Sequence, residues 1–74
     1  MKYLIYLENS KEKTIGKLIE EITKKTIVDL VKVSESSYAM TVYNQLWKVK
    51  FEDQSEKYVE VQIDFEKNLM IISL

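Results

Sequence analysis

Apolar and polar residues alternate without interruption through residues 58–66, which read Tyr-Val-Glu-Val-Gln-Ile-Asp-Phe-Glu. Successive side chains of a β-strand point to opposite faces, so this pattern predicts a half-buried strand. The predicted buried face consists of Val59, Val61, Ile63 and Phe65. The predicted exposed face consists of Tyr58, Glu60, Gln62, Asp64 and Glu66. Every charged residue on that exposed face is acidic.

The first third of the chain predicts a strand followed by an amphipathic helix. Residues 2–7 are rich in aromatic and branched side chains, as in a strand. Asn9 is the predicted N-cap, with Glu12 three positions later as in a capping box. The helix is expected to end near Lys25. Its apolar residues recur every three or four positions and are Ile15, Leu18, Ile19 and Ile22. Gly16 would allow this helix to pack closely on the sheet.

The next segment, residues 26–33, is rich in β-branched side chains. This composition predicts a second strand, with a continuation of the helix as the alternative. Residues 34–37 are Ser-Glu-Ser-Ser, and small polar residues of this kind are common in turns. We therefore expect the chain to reverse there.

Two further strand-like stretches, residues 38–43 and 46–51, differ in the phase of their inward residues. The first has its inward residues at even positions, Met40 and Val42. The second has them at odd positions, Trp47, Val49 and Phe51. Either a tight hairpin over Asn44 and Gln45 or a bulge in one long strand would explain the change. Because no glycine is present there, the bulged long strand is favoured.

The chain is predicted to close with an almost wholly apolar strand at residues 69–74, after turns at residues 52–56 and 66–68. Such a strand is either central in its sheet or covered by a partner. An exposed apolar edge favours aggregation, so we expect a homodimer. Residues 1–74 form one predicted domain of the α+β class, with one amphipathic helix packed on a curved antiparallel sheet of four to five strands.

The composition indicates no catalytic chemistry. The 74 residues include no cysteine and no histidine, which removes thiolate and imidazole groups. No glycine-rich phosphate loop, nucleophile elbow or metal-spaced cluster is visible. We therefore expect a protein that is not an enzyme and has no cofactor and no metal. The apolar run at the amino terminus is too short for a signal peptide or a membrane span, which indicates a cytoplasmic protein.

Charge is distributed unevenly along the chain. Residues 1–50 contain nine lysines and six acids, whereas residues 51–74 contain six acids and two lysines. The near-neutral total argues against direct binding of nucleic acid. The predicted partner-binding residues are the six acids and one tyrosine of the last third: Glu52, Asp53, Glu56, Tyr58, Glu60, Asp64 and Glu66. Tyr58 is included because aromatic rings often dominate protein interfaces.

These acids either mimic DNA or form a solvated face that keeps the protein soluble. On one strand, Glu60 and Asp64 are about 13.6 Å apart. Duplex DNA presents one charge per about 1.7 Å of its axis. Mimicry therefore requires the acids of both neighbouring turns to cluster with those of the strand. Stacking of bases on the tyrosines is not expected, because no lysine-rich groove is predicted around them.

One resemblance concerns the order of elements. The order helix, strand, strand, strand, with residues 46–51 preceding residues 58–65, resembles the PepSY type of small domain. Where that family usually has an Asp-x-x-x-Gly step, this chain has Asp64 followed four residues later by Asn68. The resemblance implies a structural or assembly module, which would self-associate through its C-terminal strand.

A second resemblance concerns length and composition. The short, lysine-rich chain has no arginine, no proline and no catalytic residues, and it resembles small host-takeover proteins of phages that infect low-GC bacteria. They include the Twort-type staphylococcal phage inhibitor of the bacterial DNA sliding clamp. This resemblance implies a protein that blocks the clamp's DNA channel or its peptide-binding pocket. Gln45 and Leu46 begin like the clamp-binding peptide Gln-Leu-x-Leu-Phe, but Trp47 does not continue it. The DNA channel, entered by an acidic face, is therefore the favoured site.

Overall fold

The computed structural model describes residues 1–10 and 14–74, and within them the chain forms one α-helix and a five-stranded antiparallel sheet. In chain order the elements are β1 (Lys2–Tyr6), a 3₁₀ turn (Leu7–Ser10), α1 (Ile15–Thr23), β2 (Ile27–Ala39), β3 (Val42–Phe51), β4 (Glu56–Asp64) and β5 (Leu69–Ser73). The helix packs on one face of the sheet, so the predicted α+β class is confirmed.

The spatial order of the strands is β1-β5-β4-β3-β2. The apolar strand β5 thus lies inside the sheet, hydrogen-bonded to β1 on one side and to β4 on the other. This is one of the two positions predicted for a strand that is apolar on both faces. Because β5 has no free backbone edge, it has no place for the strand of a second copy. The two edges of the sheet are β1 and β2.

The helix begins later than predicted. Thr14 is its N-cap, and the Thr14 hydroxyl accepts a hydrogen bond from the Lys17 N–H at 3.2 Å. The prediction of an N-cap at Asn9 is wrong, because the backbone there forms the 3₁₀ turn. Glu12, the other half of the predicted capping box, lies outside the described residues. The helix ends at Thr23, and Lys24 then takes a left-handed conformation with φ of 60°.

Gly16 lies where α1 packs against β2. A Cβ atom at this position would be 3.1 Å from the Cδ2 atom of Leu30 on β2. That distance is shorter than ordinary van der Waals contact, so the absent side chain is what lets the helix lie this close. The predicted role of Gly16 is confirmed.

β2 is longer than predicted. Residues 26–33 were expected to form a strand, and they do, so the helical alternative is excluded. The turn predicted at residues 34–37 is wrong, because those residues continue β2. The chain reverses instead at Met40 and Thr41. This turn contains no glycine, proline, asparagine or aspartate, the residue types that usually indicate a turn. Three register shifts interrupt the pairing of β2 with β3, and they place one extra residue on β2 at Val28, Val33 and Tyr38.

β3 is one regular strand without a bulge. Its pairing with β4 runs from Val42 opposite Asp64 to Lys50 opposite Glu56 with no shift. Both explanations predicted for the phase change, a hairpin over residues 44–45 and a bulge in one long strand, are therefore wrong. The inward phase does not in fact change: Met40 belongs to the turn, where it is 92% exposed, and Val42 lies on the same face as Leu46 and Lys48, away from the core. The prediction that Met40 and Val42 point inward is wrong.

The core lies between α1 and one face of the sheet. Its fully buried side chains come from α1 and the three inner strands: Leu18, Ile19, Val49, Phe51, Val59, Val61, Met70 and Ile72. Ile63 and Trp47 are half-buried against this core, and the Trp47 Nε1–H donates to the Gln45 Oε1 atom at 3.0 Å. The prediction that Phe65 is buried is wrong. Phe65 follows the last residue of β4, lies in a turn and is 58% exposed.

Candidate functional site

The second face of the sheet, opposite α1, has no covering element among the described residues. We call it the open face. β1 and β5 contribute Lys2, Leu4, Tyr6, Leu69, Ile71 and Ser73 to it. β4 contributes Glu56, Tyr58, Glu60, Gln62 and Asp64. β3 and β2 contribute Val42, Asn44, Leu46, Lys48, Lys50, Asp29, Val31, Ser34, Ser36 and Ala39.

The predicted partner-binding residues do not form one cluster. Glu56, Tyr58, Glu60 and Asp64 share the open face of β4, where Tyr58 is 58% exposed. Glu52 and Asp53 lie in the turn before β4, and Glu66 lies in the turn after it. These turns are separated by the length of the nine-residue strand, about 27 Å between its end residues. The acids of the two turns therefore belong to opposite ends of the sheet.

Lysines from β3 stand beside the acidic row of β4. Lys50 is the cross-strand partner of Glu56, and Lys48 is the partner of Tyr58. The Lys48 Nζ atom is 3.9 Å from the Glu56 Oε2 atom. Tyr58 therefore has two lysines near it that the sequence pattern did not indicate, although two lysines do not form a lysine-rich groove. These neighbours could be predicted only with the register of β3 against β4, which depends on the turn at residues 40–41.

Two of the predicted acids are engaged within their own turns. Asp53 accepts hydrogen bonds from the Ser55 hydroxyl and from the Ser55 N–H, and its Oδ2 atom is 3.0 Å from the Lys25 Nζ atom. Together these partners lower the pKa of Asp53 to about 2, the Ser55 hydroxyl being the largest cause. The Asp64 Oδ1 atom accepts the Lys67 N–H at 3.0 Å. Both carboxylates therefore fix the local backbone.

A groove of about 400 Å³ crosses the open face from β1 to β2. Most of its lining is polar, and polar side chains from all five strands take part: Lys2, Ser34, Asn44, Glu60, Gln62 and Ser73. Leu46 and Ile71 are also part of the lining. The sequence pattern did not predict this groove, because its residues are distant in sequence and the sheet register brings them together.

A smaller hollow of about 310 Å³ lies on the other face, beyond the end of α1. It is lined by Glu35, Tyr43, Gln45, Ile63 and Phe65. The rings of Tyr43 and Phe65 meet edge to face, with centroids 5.7 Å apart. Lys32 forms a hydrogen bond with the Glu35 carboxylate and thereby lowers its pKa. Phe65 thus packs locally against Tyr43 although it lies outside the core.

Within residues 1–10 and 14–74, no group of three or more Asp or Glu side chains is arranged to hold a metal ion. No helix of that described part is long and apolar enough to cross a membrane. Comparisons with protein-family models, with curated proteins and with solved structures find no match for this chain. The open face and its groove therefore have to be interpreted from their own geometry.

Proposed function

We propose that this chain is a non-enzymatic phage protein that inhibits a DNA-replication protein of its bacterial host, with the DNA sliding clamp as the target. The observation that supports this proposal is the uncovered β4 row, in which Tyr58 and Glu60 are exposed beside each other on a broad sheet face. The site of action would be the cytoplasm of the host cell.

The geometry limits the acidic part of the proposed interface to one half of the open face. Lys48 and Lys50 lie in the half that contains Glu56. Opposite Glu60 and Asp64, β3 presents Leu46 and Val42. An acidic half-face of this kind would be attracted to a channel lined with positive charge, because complementary potentials guide encounter and select partners. Tyr58, at the boundary of the two halves, would supply an aromatic anchor.

The proposal is tested by surface plasmon resonance with purified bacterial sliding clamp on the sensor. Glu60→Lys combined with Asp64→Lys should weaken binding by about tenfold or more and reduce its dependence on salt. Lys57→Glu is the matched control, because Lys57 lies on the same strand but on the other face. The proposal fails if the unmodified protein does not bind the clamp, or if the double variant binds as well as the control.

The second candidate function is an assembly module that forms a homodimer. The observation that favours it is the edge strand β2, which leaves Val28, Val31 and Val33 about half exposed. Self-association would then use β2 and not the C-terminal strand. Deletion of residues 69–74 does not test it, because the deletion removes the buried Met70 and Ile72.

Analytical ultracentrifugation tests the dimer directly. The unmodified chain should sediment as a dimer, and Val31→Lys should sediment as a monomer, because a charge on a sheet edge opposes pairing. Lys57→Glu again serves as the control. A monomer across the whole concentration range would exclude this second function.

A further inference from the structure

The groove on the open face has a balanced charge. Among the residues that the structure describes, its lining contains one cation, Lys2 on β1, and one anion, Glu60 on β4. The remaining polar side chains are amides and hydroxyls, which carry no charge. A groove with this balance does not attract a polyanion such as nucleic acid, nor a polycation.

The polar side chains in the middle of the groove have unused hydrogen-bonding capacity. Asn44 and Gln62 are directly opposite each other on β3 and β4, and both are half-buried. Ser73 on β5 is likewise half-buried and lies opposite Glu60. Within the described residues, none of these four side chains forms a hydrogen bond. Each amide or hydroxyl can both donate and accept, so the groove can bind a ligand whose groups also do both.

The dimensions and the remaining lining restrict the class of ligand further. The groove reaches from Lys2 on β1 to Ser34 on β2, which is about 19 Å across five strands. A volume of about 400 Å³ is within the usual range of ligand sites, but only Leu46 and Ile71 supply half-buried apolar surface. A lipid or an apolar helix would find too little apolar contact. A chain-like ligand rich in neutral hydroxyl groups satisfies all these conditions.

An extended peptide fits less well than a sugar chain. Its backbone presents N–H and C=O groups along two edges only, and its side chains need pockets, whereas the lining offers polar side chains from all five strands. A sugar chain presents hydroxyl groups around each ring and an apolar C–H face between them. Tyr38, at the β2 end of the groove, offers an exposed aromatic ring for such a face.

We infer that this groove is a binding site for a neutral carbohydrate chain, held by hydrogen bonds to Asn44, Gln62, Ser73 and Glu60. The site shares Glu60 with the proposed clamp interface, but recognition of the sugar relies on hydrogen bonds, whereas the proposed clamp inhibition relies on charge. Binding of a neutral ligand should therefore be insensitive to salt, whereas binding of the clamp should depend on the salt concentration.

The test uses the full chain labelled with ¹⁵N and observes the side-chain amide signals by NMR. Maltohexaose, cellohexaose and chitohexaose are titrated separately to about 10 mM. At least one of them should shift the NH₂ signals of Asn44 and Gln62 in a saturable way. The NH₂ signals of Gln54 and Asn68, which lie in turns outside the groove, are the internal controls and should not move.

Two variants then test the named side chains. Asn44→Val combined with Gln62→Val should weaken the sugar complex by about tenfold or more, because two hydrogen-bonding partners are lost. Valine preserves strand propensity, so the thermal unfolding midpoint should be retained. Lys57→Val, on the other face of β4, should bind the sugar normally.

Several results would overturn the inference. They are the absence of any shift with all three hexasaccharides, and an unchanged affinity of a folded double variant. A fall in sugar affinity of about tenfold between about 0.05 and 0.5 M salt would also contradict a neutral ligand. Shifts caused by decathymidylate or by a capped Gly-Ser peptide, and by none of the sugars, would assign the groove to a different class of ligand.

Discussion

The two faces of this sheet are built from alternate residues of the same strands, yet they differ in burial and polarity. On β5, Ile72 points toward α1 and is 0% exposed, whereas its neighbour Ile71 lies in the polar groove of the open face. α1 covers one face and provides an apolar core there. Within residues 1–10 and 14–74 the other face has no such cover, so it can carry polar rows without a loss of core contacts. An antiparallel sheet can have one packed face and one solvated face in this way.

The largest expected difference between the faces comes from substituting these two neighbouring isoleucines. Ile72→Ala should lower the free energy of unfolding by about 2 to 5 kcal/mol, because it leaves a cavity in the core. Ile71→Ala should cost about 1 kcal/mol, because that side chain is only half-buried. Urea denaturation measures both values. Equal losses for the two variants would show that the open face is packed as well as the core.

The approach of α1 to the sheet is tested at Gly16. Gly16→Val should destabilise the fold by about 1 to 3 kcal/mol, because Leu30 occupies the space that the new side chain needs. In Gly16→Ala two effects oppose each other. The higher helix propensity of alanine stabilises the helix by about 1 kcal/mol, whereas its Cβ atom crowds the flexible end of the Leu30 side chain less severely than valine does. The two effects should nearly cancel in urea denaturation. A valine variant as stable as the alanine variant would place the helix farther from β2.

A smaller effect is expected at the start of the helix that covers the core. Thr14→Ala should cost about 1 kcal/mol, because the Lys17 N–H loses its acceptor. Thr14→Ser retains the hydroxyl and should cost much less. Thermal denaturation followed by circular dichroism compares the two. If serine and alanine are equally destabilising, Thr14 does not act through its hydroxyl.

The smallest effect is expected at Asp53, which lies in a turn outside both faces. The pKa of Asp53 is lowered to about 2 in the folded chain, below its usual value of about 3.9 in an unfolded chain. Its ionised form therefore stabilises the fold above about pH 4, and this contribution is lost as the pH falls toward 2. Asp53→Asn should be less stable than the parent at pH 7 and equally stable at pH 2. A stability difference that does not depend on pH would exclude ionisation as the cause.

Regular alternation allowed the strands of the C-terminal half to be predicted from the sequence. The pattern in residues 58–66 predicted the faces of β4 correctly up to Asp64. The apolar composition of β5 left two positions open, and the strand takes the one inside the sheet. The prediction failed at Phe65, where the strand has ended and the face of a side chain is no longer set by alternation. Local patterns are therefore informative only while the element continues.

The errors around β2 have a different cause. Serine is common in turns, but an exposed edge strand accepts it as well, so residues 34–37 could be assigned either way. The true reversal is at Met40 and Thr41, which are not residue types typical of turns. It is stabilised by tertiary contacts, including a hydrogen bond of 2.8 Å from the Phe65 N–H to the Thr41 carbonyl. The groove depends on the same register, so it could not be predicted from the sequence.

Isoleucine methyl groups can test the proposal that partners bind the open face. Among the described isoleucines, Ile71 is the one on the open face, while Ile5, Ile63 and Ile72 lie on the face that α1 covers. The measurement is methyl NMR of the isoleucine-labelled chain during titration with purified sliding clamp. The Ile71 methyl signal should shift or broaden first, with little change at Ile72. Changes confined to Ile5 and Ile63, with Ile71 unaffected, would place the partner on the other face and exclude the open face as its binding site.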